Sequence, residues 1–168
     1  SCVLGTVPFE IGIRRMITHN EIEMNASLAR CFQVAADVER WPEILSHYRW
    51  VRFRRCDAFG CGLVEMAARR TFGPIGYPVW WVSEMSADES VPVVRYRHVE
   101  GVTKGMDVEW RFHSEGEATR VEIVHDWPGG PGWPLIGRFA ANTVIGPVFI
   151  HHVAGMTLEG VKIAVEER

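Results

Sequence analysis

None of the four cysteines (Cys2, Cys31, Cys56, Cys61) belongs to a CxxC pair. That leaves no thioredoxin-type redox motif and no zinc-finger spacing, so reduced, ordinary thiols are expected. No uncharged apolar run reaches the ~18 residues of a membrane-spanning helix. The stretch around Leu135 to Met156 is broken by Arg138, His151 and His152. Stable membrane insertion is therefore not expected. Positive charge is not in excess either: 18 Lys and Arg stand against 21 Asp and Glu, a net charge of −3. That argues against nucleic acid and anionic membrane surfaces as partners. No charged segment leads into an apolar signal-like stretch, which points to a cytoplasmic protein. Repeats, heptads and low-complexity tracts are also missing.

What is present is tryptophan, seven of it, in 168 residues that are 47% hydrophobic and 23% charged. The length suggests a single domain over residues 1–168. Trp either fills a core or lines a cavity for flat ligands, and composition alone leaves both open. Residues from about 13 to 25 alternate with period two, a first strand. Asn25 or Ser27 can cap a helix whose apolar side is Leu28, Cys31, Phe32, Ala35 and Ala36, closed by Asp37. The next stretch, WPEILSHYRWVRF (41–53), puts Pro42 in the first turn of a second short helix and then changes to strand period at Tyr48. Five more alternating segments follow: around Val64 to Arg70, Val79 to Ser86, Pro92 to Val99, Met106 to His113, and Arg120 to Trp127. Gly73 to Pro78 reads as a loop. Adjacent Trp80 and Trp81 must face opposite ways. Residues from Pro147 onward read as one long helix.

Short turns between successive strands imply an antiparallel meander. Clean alternation implies one wet and one dry face. The last helix is the only element large enough to cover the dry one. Strand phase puts Met66 and Ala68, then Tyr96 and His98, then Val108, Trp110 and Phe112, then Ile123, His125 and Trp127 on the covered face. The same phase brings Arg70 inward and turns Arg69 outward. His151 and His152 are helix neighbours about 100° apart and cannot easily share one ion, so no metal is expected.

The segments VAADVERWPEIL (34–45), HYRWVRF (47–53), EMAARR (65–70), WVSE (81–84), GMDVEWRF (105–112), ATRVEIVHDW (118–127) and VAGMTLEGVK (153–162) resemble, in that order, the polyketide cyclase/dehydrase branch of the START-like superfamily. The similarity covers roughly residues 13–166. It implies an α+β helix-grip fold, also called Bet v 1-like: a seven-stranded antiparallel sheet wrapped around a long C-terminal helix, with two short helices plugging one end of the groove. It also implies a deep, mostly apolar cavity.

The resemblance further implies aldol cyclisation and dehydration of a poly-carbonyl chain without cofactor or metal. That chemistry needs a base for the acidic proton between two carbonyls and a donor for the developing enolate. Arg70 or Arg69 would hold the oxygen, and His125 or His98 would move protons. Trp81, Tyr96 and Trp110 would stack on the nascent ring. Met66, Val108, Phe112, Trp127, Phe149 and Val153 would complete the ligand wall. The implied partner is a small hydrophobic or aromatic molecule that an acyl carrier protein could deliver, with the protein a monomer or homodimer. The family also contains carriers, so a lipid- or quinone-binding module without chemistry is the second reading. The glycine-rich stretch GGPGWPLIGRFAANTVIG (129–146) would form either a lid over the groove or a fixed connection.

Overall fold

Ser27 starts the first helix by accepting a hydrogen bond from the Arg30 backbone N–H at 3.3 Å. In this computed structural model, residues 15–72, 75–130 and 146–167 are described, without the side chains of 70–72, 75–77 and 146–149. The chain runs β1 (Met16–Met24), α1 (Leu28–Ala36), α2 (Trp41–Ile44), β2 (Tyr48–Ala58), β3 (Cys61–Phe72), β4 (Ile75–Asp88), β5 (Val93–Gly101), β6 (Asp107–Glu115), β7 (Ala118–Trp127) and α3 (Gly146–Glu166). A single 3₁₀ turn, Val38–Arg40, joins the two short helices. The proposed lid falls almost wholly on 131–145, outside the described residues.

The seven strands form one antiparallel sheet in the order β1-β7-β6-β5-β4-β3-β2. Register shifts interrupt β2–β3 pairing at three places and β4–β5 pairing between Val82 and Ser83. Such bulges bend and twist a strand. The sheet consequently curls, so that β2 through β7 and α3 all line one interior space. α3 packs on β1 and β7 and is touched by α1 and α2. Its apolar side carries Ile150, Ala154, Leu158, Val161 and Val165, all buried.

The short plug explains WPEILSHYRWVRF. Pro42 lies in the first turn of α2, where its missing N–H costs nothing. Trp41 drops into the core, and Leu45 closes the turn by donating its N–H to the Trp41 carbonyl at 2.7 Å. Leu45 then packs on α3 so closely that a Cβ at Gly160 would come within 2.2 Å of Leu45 Cδ2. A second turn bond, from Tyr48 N–H to the Leu45 carbonyl at 3.0 Å, launches β2.

One expectation is corrected. Residues 75–78 are not a loop but the start of β4, pairing with β3 down to Phe72↔Ile75. Pro78 is tolerated because β4 has no β5 partner upstream of Trp81. There it is an edge, and an edge strand accepts a residue with no N–H.

The outer face of the sheet is held by charge. Glu65, buried, accepts from Arg52 at 2.9 Å, from Arg54 at 3.1 Å and from Trp80 Nε1 at 2.6 Å. The hydrogen bonds from Arg54 and Arg52 bring its carboxyl down from the ordinary 4.5 to about 2. A depressed folded-state pKa contributes stability above pH 4.5 and loses it as pH falls toward 2. Glu65→Gln should therefore lower stability at pH 7 by about 1–2 kcal/mol. It should also remove part of the acid destabilisation in that window, as read by urea denaturation at several pH values. An unchanged pH slope would contradict this account.

Candidate active site

Between sheet and helix lies a cavity of about 60 Å³. Its wall is a chain of rings. Trp110 and Trp41 lie 5.7 Å apart centroid to centroid, Trp41 and Tyr48 5.2 Å, Tyr48 and Trp81 6.0 Å, and Trp81 and His98 5.9 Å. The last pair is stacked within 6° of parallel. Edge-on and offset arrangements of this kind suit the ring quadrupoles. Met66, Met106, Val108, Ile123, Ile150, Val153 and Ala154 supply the aliphatic remainder.

Polar groups enter this apolar wall at few points. His98 Nδ1 meets Thr103 Oγ1 at 2.5 Å, with both residues buried. Thr103 reaches inward because the β5–β6 connection folds back on itself. The His98 N–H donates to the Met106 carbonyl, and Gly105 N–H donates to the His98 carbonyl, both at 2.9 Å. Gly101 makes the fold-back possible: its φ is +95°, and a Cβ there would stand 2.3 Å from the Trp80 carbonyl oxygen. Thr157 Oγ1 donates to the Val153 carbonyl at 2.9 Å and lies 3.1 Å from His47 Nε2. A hydroxyl has one proton, so His47 Nε2 is the donor of that pair. His125 also lines the cavity. Trp41 Nε1 and Tyr96 Oη are buried without a hydrogen-bond partner among the described residues. Burial, and secondarily Tyr48 nearby, pushes the Tyr96 phenol well above its ordinary range, so it keeps its proton.

The site residues anticipated from the sequence sort into four groups. Met66, Trp81, Tyr96, His98, Val108, Trp110, His125 and Val153 all line the cavity. Phe112 and Trp127 are buried but stand apart from it. Phe112 packs edge-on against Phe32 at 5.6 Å, and Trp127 Nε1 donates to the Lys104 carbonyl at 3.2 Å. Arg69 is exposed on the face that carries Glu65 and Ala67, away from the cavity. The side chains of Arg70 and Phe149 lie outside the described residues; the Arg70 backbone pairs with Tyr77. Sequence reasoning missed Thr103 and Thr157. Thr103 had one signal, its place between Gly101 and Gly105 in a tight turn. Thr157 had none, since a threonine on an apolar helix face carries no spacing signature.

A curled antiparallel sheet gripping a C-terminal helix, with an aromatic-walled hollow between them, defines the START-like, Bet v 1-like helix-grip class. Residues 24–144 match the family model described as polyketide cyclase/dehydrase and lipid transport, and the chain belongs to that family. A Streptomyces cyaneus protein named "Putative polyketide cyclase" is 32% identical over 121 residues, 70% of this chain and 76% of the relative. Among solved structures, the Zhui aromatase/cyclase of Streptomyces sp. R1128 superposes with a TM-score of 0.73 at 21% identity, over 92% of this chain and 96% of that one. A major latex-like protein of Panax ginseng reaches 0.69 at 12% identity, over 90% and 97%. These structural likenesses establish the fold. Among the described residues no helix is long and apolar enough to cross a membrane.

Gly101→Ala tests how the site is built. The substitution should cost about 2 kcal/mol or more, because it combines a strained backbone with a clash against main chain. It should also release Thr103 from His98, detected as a shift of the His98 ring resonances in two-dimensional NMR. A variant with wild-type melting temperature and unmoved resonances would show that the turn does not depend on this glycine.

Proposed function

We propose that the protein is an aromatase/cyclase that folds a poly-carbonyl chain against the ring wall and promotes aldol closure and dehydration. The observation that carries this reading is the His98–Thr103 pair at 2.5 Å inside an aromatic-walled, mostly apolar cavity. A carrier needs an apolar interior with one polar end, whereas a cyclase needs at least two convergent polar groups. With Nδ1 committed to Thr103, proton transfer falls to Nε2. His98 takes a proton from a methylene flanked by two carbonyls. The resulting enolate carbon attacks a third carbonyl, and the imidazolium returns its proton to the new alkoxide. Removal of a second α-proton and protonation of the departing hydroxyl then expel one water and leave a carbon–carbon double bond. No oxidant or cofactor enters this balance. His98 is suited to both directions because an imidazole can both accept and donate a proton. Strand period gives Arg70 the phase of Met66, and we assign it the anchoring of a carbonyl or carboxylate further along the chain.

The hollow measures about 60 Å³. A polyketide is far larger, so binding must swing some of the wall rings aside. Trp41, Tyr48 and Trp81 form the continuous part of that wall. Ligand binding should accordingly change the intrinsic tryptophan fluorescence.

The direct test adds the protein to a polyketide-synthesising system that lacks its cyclase. A new cyclised product is expected, and His98→Gln should slow its formation about 10²–10⁴-fold, the usual worth of a general acid–base. Arg70→Ala should abolish turnover on this reading. An unchanged product profile, with lipid retained by the purified protein in native mass spectrometry, would replace the enzyme reading with the carrier reading.

A further inference from the structure

Two buried donors on cavity-lining residues have no acceptor among the described residues. Trp41 is 2% exposed and Tyr96 5%, and both line the cavity. Their rings sit 6.5 Å apart at a tilt of 51°. Neither Trp41 Nε1 nor Tyr96 Oη has a hydrogen-bond partner among the described residues. Buried donors are normally satisfied, and each exception needs a reason. This chain satisfies its indoles elsewhere: Trp80 Nε1 donates to Glu65 at 2.6 Å and Trp127 Nε1 to the Lys104 carbonyl at 3.2 Å.

We infer that Trp41 Nε1 and Tyr96 Oη form a two-donor site for one ligand oxygen, a ketone carbonyl or the enolate or phenolate it becomes. The chemistry of the pair is one-sided. An indole N–H only donates, and a phenol far from ionisation donates as well. A cation finds no anionic ligand in this pair, and a hydrocarbon tail leaves both donors unsatisfied. A carbonyl oxygen has two lone pairs and can accept from both. Charge gathering on that oxygen strengthens both bonds. Tyr96 also lies two residues before His98 on β5 and shares its face. A ketone held at Tyr96 therefore presents the neighbouring carbons of its chain to His98. As a binding site the pair stands alone, while its role in enolate stabilisation rests on the enzyme reading above.

The test uses two probes of nearly one shape: 1-tetralone, an aromatic ketone, and tetralin, its hydrocarbon counterpart. Both are titrated into the full chain by tryptophan fluorescence and calorimetry. The wild type should prefer the ketone by about tenfold or more, the worth of one or two hydrogen bonds. Tyr96→Phe, which removes only the hydroxyl, should cut that preference several-fold and leave tetralin affinity unchanged. Trp41→Phe should act in the same direction. The ¹³C=O stretch of labelled tetralone should move to lower frequency on binding and partly revert in Tyr96→Phe, a signature that packing alone would not produce. Equal affinities for the two probes in wild type and Tyr96→Phe, with an unshifted carbonyl stretch, overturn the site, as does binding of neither probe with only an ordered water between the two donors. The outcomes separate the two claims. Cyclised product without a carbonyl shift keeps the enzyme and loses this site. A carbonyl shift without cyclised product keeps the site and loses the enzyme.

Discussion

A sheet whose inner face carries Met66, Trp81, Tyr96, Val108, Trp110 and Ile123 cannot leave that face wet, and everything else in the molecule follows from how it is covered. Only α3 spans it. The helix is pinned at its far end by polar contacts rather than by packing alone. Arg30 donates to the carbonyls of Val165 at 3.0 Å and Ala164 at 3.2 Å. Those are among the last carbonyls of the helix, which have no partner of their own, and a cation there also suits the helix dipole. Lys162 Nζ donates to the Glu23 carbonyl, and Glu166 accepts from the Asn25 N–H, both at 2.7 Å. At the cavity end, Asn20 Nδ2 reaches the His151 carbonyl at 3.1 Å, and His47 reaches Thr157. A helix fixed at both ends against β1 and the plug can leave a gap in the middle without collapsing into it.

The two faces of the sheet handle polarity in opposite ways. Outside, Glu65 saturates its oxygens with two guanidinium groups and an indole, and Arg52 and Arg54 in turn lie over Trp50 and Trp80 at 4.7 and 5.6 Å from the ring centroids. Inside, an indole N–H and a phenol are left without acceptors among the described residues. A core under selection for stability alone would fill that space with carbon, since replacing both polar groups by apolar ones of the same shape is nearly neutral. On the inference drawn above, the donors at Trp41 and Tyr96 are retained for a visiting oxygen.

Much of this was legible in the sequence, because period two reports which face a residue occupies. The covered sides of β5, β6 and β7 followed from alternation. So did the split between Trp80 and Trp81, now seen as one indole bonded to Glu65 and the other stacked on His98. Phase reports face but not position along the strand. Phe112 and Trp127 have the right phase and are buried, yet they sit beyond the hollow, Phe112 against α1 and Trp127 against the β5–β6 turn. The start of β4 was misread for a related reason. Pro78 is forbidden in a central strand, and nothing local says that β4 is still an edge there. Thr103 was hidden because a turn has no period at all; it enters the cavity only because Gly101 takes a backbone conformation that few other residues accept.

Fold alone does not separate a cyclase from a carrier, since both need the same covered sheet. The proposed reading rests instead on the placement of polar groups within the hollow. Tyr96 and His98 project from one face of one strand, so the pleat spaces them at two residues, about 6.6 Å. On the proposed reading, one holds a carbonyl and the other moves protons. Their separation is then set by backbone geometry rather than by flexible side chains. A poly-carbonyl chain must fit a fixed number of its carbons between the held oxygen and the deprotonated methylene, and the stacked Trp81 leaves the chain little freedom to bow outward. The ring that closes would thus be chosen by the pitch of β5, with the aromatic wall serving mainly to keep the chain pressed against it.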